Sequence, residues 1–229
     1  MLTQAVARSV SSKQMVAQAR RAPPVGSHAL DGNIELMGAP MAFARNSEIY
    51  GEGEPADYCY KVISGTVRTY KVFADGRRQI GAFYMAGDLF GLEMGDEHTF
   101  SAEAISDARV LVIKRSALVA LAERDNEVAR DLWALTGREL CRMQDHTLLL
   151  IKTAQERVVG FLLEMAGRVS NGNSVELPMS RQDIADYLGL TIETVSRTLT
   201  TLENAAAIEL PSSRHIVLRN RSALSRLSA

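Results

Sequence analysis

The chain has 229 residues, 46% of them hydrophobic and 23% charged, enough for more than one domain and a well-buried core. Its net charge of −1, from 26 basic and 27 acidic residues, excludes a histone-like polycation, and no run of about 18 apolar residues marks a membrane span. Two cysteines, Cys59 and Cys141, exclude a tetrathiolate zinc or iron–sulfur site and a disulfide framework, and read as reduced structural thiols.

The small net charge hides segregation. Residues 1–30 carry Arg8, Lys13, Arg20 and Arg21 and no acid. This stretch reads as a flexible tail over 1–29 that passes Pro23-Pro24; its Ser/Arg-rich, acid-free composition also matches a transit peptide. Residues 31–127 carry a charge of −6, and five arginines gather between 191 and 229.

From residue 47 to 115 the pattern is that of short strands, punctuated by Gly51, Gly65, Gly76 and Gly87. Tyr58–Ile63 and Thr66–Phe73 are β-branched and aromatic, and Asp75-Gly76 is a tight-turn signal before Arg78–Met85. Thr99–Ile105 and Ala108–Ile113 read as one more strand pair. The spacing predicts a β-roll over 30–125.

The period then changes to helical, through Val128, Leu132, Leu135, Leu140, Met143, Leu149 and Leu150. One helix over 126–151 is unusually long for a compact domain. Leu132, Trp133, Leu140, Met143 and Leu150 are its candidate dimerisation residues, set against the alternative of a helix buried within one chain. Cys141 lies on this helix, where no motif marks it as a redox sensor.

Residues 152–229 form a second module: a helix over 154–169, a strand at Val175–Leu177, two helices split by Gly189, and a closing hairpin of Ile208–Leu210 and His215–Leu218. Ser180 is a good N-cap, and Asp183 completes a capping box rather than facing phosphate. Thr191 caps the second helix, whose buried stripe is Val195, Leu199 and Leu202. Its other face holds Glu193, Ser196, Arg197 and Thr200. This is the grammar of a helix-turn-helix, with base-reading side chains on the exposed turns of the second helix. Arg197 suits guanine O6 and N7, Glu193 suits the exocyclic amine of cytosine or adenine, and Ser196 is short enough to lie against a thymine edge. The plain alternative is an exposed Glu193–Arg197 salt bridge.

Over nearly all of residues 30–220 the chain resembles the cyclic-AMP receptor/fumarate-nitrate regulator superfamily of bacterial transcription factors. The run Glu193-Thr-Val-Ser196-Arg197 is similar to its FixK type. The resemblance implies an α+β architecture of β-roll, dimerisation helix and C-terminal winged helix-turn-helix over 152–229. It implies a cytoplasmic homodimeric activator, not an enzyme, that binds TTGAT-N4-ATCAA double-stranded DNA, contacts RNA polymerase and controls low-oxygen or nitrogen-fixation genes. Glu193, Ser196 and Arg197 would read bases. Ser180, Arg181, Thr191, Thr194 and Arg214 would meet the DNA backbone, although for Arg214 a solvated surface is as good a reading. The extra arginine that the cyclic-AMP receptor branch carries before the glutamate is Ile192 here.

Gly87–Glu93 resembles the superfamily's phosphate cassette, with its pocket residues replaced. Gly91 stands, but Leu92 takes the glutamate's place and His98-Thr99 that of the Arg-Ser pair, so a cyclic phosphate would lack its cation. No cofactor and no metal are expected. Residues 1–30 hold no cysteine for a cluster, and His28, His98 and His146 belong to no motif and are expected at the surface. Two alternatives stand beside this reading: an effector-gated regulator with an altered roll ligand, and a ligand-binding roll whose second module meets only protein.

Overall fold

The computed structural model describes residues 28–93, 95–171 and 173–227, so the expected tail lies, up to residue 27, outside the described residues. The described residues open with His28–Met37 (α1), a helix that the sequence pattern does not reveal, because Gly32 interrupts its interior. Leu30 and Ile34, one helical turn apart, are buried on one side of it.

Eight strands follow: Ala39–Phe43 (β1), Glu48–Tyr50 (β2), Tyr58–Ser64 (β3), Thr66–Val72 (β4), Arg78–Met85 (β5), Leu89–Phe90 (β6), Ser101–Ala104 (β7) and Ala108–Lys114 (β8). They form two antiparallel sheets, ordered β1-β8-β3-β6 and β2-β7-β4-β5. The expected hairpin through Asp75-Gly76 is β4–β5. The expected pairing of Thr99–Ile105 with Ala108–Ile113 does not form. Instead β7 pairs with β2 and β4, and β8 with β1 and β3, because the chain crosses from one sheet to the other at Ser106-Asp107. The crossing from β3 to β4 lies against it. Gly65 sits there at φ +82°, and a Cβ on it would stand 2.3 Å from the Asp107 carbonyl oxygen, so only glycine fits.

Arg115–Arg124 (α2) closes the roll and breaks at Asp125, whose carboxylate accepts from the amides of Glu127 and Val128. From that cap, Asn126–Leu150 (α3) runs unbroken for 25 residues, roughly 37 Å at 1.5 Å per residue. Val128 is buried, and Leu132 and Leu135 pack on the cluster of Leu30, Ile34, Cys59 and Leu111. Burial raises the Cys59 thiol to about 11, in keeping with a structural role.

The second module comprises Ala154–Val169 (α4), Ser170–Asn171 (β9), Ser174–Glu176 (β10), Arg181–Leu188 (α5), Ile192–Asn204 (α6), Ile208–Glu209 (β11), His215–Leu218 (β12) and Arg221–Leu227 (α7). Its small sheet is ordered β11-β12-β10-β9. Its core does not stop at the module boundary. Ile80, Phe83, Met85 and Ile105 of the roll belong to the same buried cluster as Phe161, Leu162, Met165 and Tyr187.

Candidate nucleic-acid interface

The helix-turn-helix is built by local rules that its sequence states openly. The Ser180 hydroxyl accepts from the Asp183 amide, and the Asp183 carboxylate accepts from the Ser180 amide at 3.0 Å. Gly189, at φ 62° and ψ 41°, ends α5 in the left-handed conformation. Thr191 then caps α6 by accepting from the Thr194 amide. Val195, Leu199 and Leu202 are buried, which turns the opposite face of α6 outward.

On that outward face Glu193, Arg197 and Thr200 are exposed, and Ser196 is half-buried. The Glu193 carboxyl is held below the usual carboxylate range, first by its own backbone amide, then by the Thr191 hydroxyl, with Arg197 adding to the effect. It therefore stays an acceptor at neutral pH. Among the described residues Glu193 and Arg197 form no direct ion pair, and both side chains are exposed.

The other candidates are disposed unequally. Thr191 is exposed and Thr194 half-buried, both in the first turn of α6, where backbone amides and the helix dipole favour phosphate. Arg181 donates through Nη1 to the Ser196 hydroxyl at 3.3 Å, which ties the start of α5 to α6. Ser180 is engaged in its capping box. Arg214 lies between β11 and β12, half-buried, with its backbone carbonyl accepting from Leu177. Sequence spacing did not expose Arg157, whose guanidinium on α4 donates to the Leu188 carbonyl at 3.0 Å and, at 3.4 Å, to that of Gly189.

On α3 the five dimerisation candidates divide. Trp133, Leu140 and Met143 are exposed, Trp133 to 81%, on one face with Leu148 and Ile151. Leu132 faces its own roll, and Leu150 is half-buried.

The degenerate pocket corrects an expectation. His98 is not at the surface. It is 2% exposed, and its ring stacks on Tyr50 at 3.6 Å. Its backbone is held on both sides, by the Gly53 amide and the Glu54 carbonyl. His146 is likewise half-buried and stacked on Tyr187 at 4.0 Å; the side chain of His28 is not described. Gly91 is buried at φ +73° against Tyr60, Leu92 packs toward the roll, and Thr99 is exposed. Tyr60, Phe90 and Tyr84 continue the aromatic stack from Tyr50. Among the described residues no His, Cys, Asp and Glu cluster could hold a metal, and no helix is long and apolar enough to cross a membrane.

Comparison with known proteins agrees with this architecture. Residues 156–227 match the Crp-like helix-turn-helix domain, and residues 40–125 the cyclic nucleotide-binding domain. The fold and the exposed α6 face define a helix-turn-helix transcription regulator with a cyclic-nucleotide-binding-type roll. The chain is 55% identical over 202 residues to the nitrogen fixation regulation protein FixK of Azorhizobium caulinodans, covering 86% of this chain and 82% of that one. It is 42% identical over 200 residues to the protein of the same name from Rhizobium meliloti, covering 83% and 92%. The solved structure of FixK2 from Bradyrhizobium japonicum superposes with a TM-score of 0.81 at 52% identity, covering 84% of this chain and 98% of that one. The chain belongs to the FixK type of the Crp/Fnr family of transcription regulators.

Proposed function

We propose that the protein is a homodimeric activator that reads a TTGAT-N4-ATCAA palindrome without a bound effector and recruits RNA polymerase in the cytoplasm. By analogy with its FixK relatives, its targets are low-oxygen or nitrogen-fixation genes. The observation that carries this reading is the exposed Glu193–Ser196–Arg197 face of α6, held by two capped helices. Arg197 would pair with guanine and Glu193 with an exocyclic amine, while Ser180, Arg181, Thr191, Thr194 and Arg214 would fix the register on phosphate. The bare stripe of Trp133, Leu140 and Met143 supports a two-fold pairing of α3. Such a pair would set the recognition helices one turn of DNA apart, about 34–36 Å.

The absence of an effector is supported by Leu92 and His98. The first offers no acceptor to a ribose, and the second is stacked inside the roll where a cyclic phosphate needs a cation. A mobility-shift assay with purified protein on TTGAT-N4-ATCAA and on scrambled duplex tests the reading. Selective retardation with no added ligand is expected, and equal retardation of both duplexes would refute it. Calorimetry with cyclic AMP should show no low-micromolar binding.

One observation favours a second reading, an effector-gated regulator with an altered ligand. The Tyr50 hydroxyl and His98 Nε2 are buried without hydrogen-bond partners, beside a His98 Nδ1 that stands 3.3 Å from Glu93 Oε2. DNA binding by purified protein that appears only with an added small molecule would favour it.

A further inference from the structure

The roll and the reading module share an apolar core, but apolar contact is non-directional and does not fix an angle. Among the directional contacts between them, Gln79 Nε2 donates to the Tyr187 carbonyl at 3.2 Å and Arg168 Nη2 to the Phe83 carbonyl at 2.9 Å, while those that meet the carboxylates of α5 are charged on both sides. Arg68, in the middle of β4 and largely buried, donates through Nη2 to Glu103 Oε2 at 2.9 Å and through Nη1 to Asp183 Oδ1. Arg78 of β5 donates through Nη2 to the same Asp183 oxygen at 2.8 Å and through Nε to Asp186 Oδ2 at 2.7 Å. Both guanidinium groups lie within 6.0 Å of the Tyr70 ring centre.

Asp183 thus has two tasks. Its Oδ1 takes the arginines of the roll, and its Oδ2 closes the capping box of α5, accepting from the Ser180 amide at 3.0 Å and hydroxyl at 2.8 Å. The next residue after the cap, Arg181, donates to Ser196 on α6. An unbroken series of hydrogen bonds and adjacent residues therefore leads from β4 to the reading helix. The clamp leaves the base-reading side uncovered, since Glu193, Arg197 and Thr200 stay exposed. A pair of arginines that merely shielded α6 from DNA would lie over that face.

We propose that Arg68 and Arg78 are positioning residues for DNA reading: from the roll they set the angle of α5, and through Ser180, Arg181 and Ser196 the angle of α6, so that the chain supplies its own reading-ready pose. This rests on the assignment of α6 as the reading helix. Charge-assisted, forked contacts of this kind are strong and geometrically exacting, and a lysine cannot reproduce the fork.

The test uses the full chain with Arg78→Ala, Arg68→Lys and Asp186→Asn, each on the TTGAT-N4-ATCAA duplex and on scrambled duplex, with far-ultraviolet circular dichroism as the control for folding. Affinity for the palindrome should fall at least tenfold in Arg78→Ala and less in Asp186→Asn, with scrambled-duplex affinity and helicity unchanged. Arg78→Lys should restore only part of the loss. Should Arg68→Lys fail to fold, the variants at Arg78 and Asp186, which are less deeply buried, carry the test. The proposal is overturned by wild-type affinity in Arg78→Ala, by tighter binding (the arginines would then restrain reading), or by loss on both duplexes in step with lost helicity. If the wild-type chain itself does not prefer the palindrome, it is the DNA-reading assignment that has failed.

Discussion

Arg157 and Leu188 are joined by a 3.0 Å hydrogen bond from the guanidinium of α4 to the last carbonyl of α5. The end of a helix leaves its carbonyls without partners and concentrates negative dipole there, so a cation answers both needs. The same side chain also donates from Nε to the Lys152 carbonyl at 2.8 Å. It therefore ties the turn between α5 and α6 to the segment between α3 and α4. Arg157→Ala should lower stability by about 1–3 kcal/mol, which thermal unfolding followed by circular dichroism will show as a drop of several degrees.

Arg197 is exposed and makes no ion pair among the described residues, so its removal costs the fold little. Each good bidentate base contact is worth about 1–3 kcal/mol of discrimination, and a dimer makes two. Arg197→Ala should abolish selective binding in a mobility-shift assay while the melting temperature stays within a degree or two. Unchanged preference for the palindrome would refute the role given to Arg197.

Leu140 lies at the centre of the bare α3 stripe and is 57% exposed in the single chain. A glutamate there would place like charges across a two-fold seam. Leu140→Glu should sediment as a monomer and lose the palindrome, with helicity preserved. A variant that still sediments as a dimer would show that another surface makes the pair.

His146 supplies a pH prediction. Burial against Tyr187 lowers its pKa below the ordinary 6.5, so between that folded value and 6.5 the unfolded chain binds more protons than the folded one. Stability from this group is complete above 6.5 and declines as the pH falls toward the folded pKa. Burial acts on Glu164 in the opposite sense, raising its carboxyl despite Arg168 and Arg142 nearby, so its contribution falls as the pH rises above 4.5. The two are separated by difference. His146→Phe should flatten the loss of stability between pH 7 and 5.5 relative to wild type, measured by denaturant unfolding at each pH.

Much of the second module is legible in its residues because its rules are local. Ser180 with Asp183, Gly189, and Thr191 with Thr194 each act within a few positions, so spacing alone places α5 and α6. The unbroken α3 is likewise stated by its period and by the absence of proline. What was not legible depends on distance along the chain. A turn signal at Ser106-Asp107 is the same whether two strands pair or part to different sheets, and here they part. His98 carries no pattern that foretells burial; its ring packs on Tyr50, 48 positions away. Arg68 and Arg78 meet Asp183 across 115 and 105 positions, and nothing near either end announces the other. An arginine in the middle of an alternating strand is the one local sign that something must receive it.

The core that runs from Ile80, Phe83 and Met85 into Phe161, Met165 and Tyr187 has a further consequence for how the chain comes apart. A boundary drawn near residue 152 separates two roles but not two thermodynamic units. Heat should therefore melt roll and reading module as one cooperative transition, with calorimetric and van't Hoff enthalpies in agreement for each chain. Excising the reading module would bare greasy surface on both fragments, and each would be prone to aggregate.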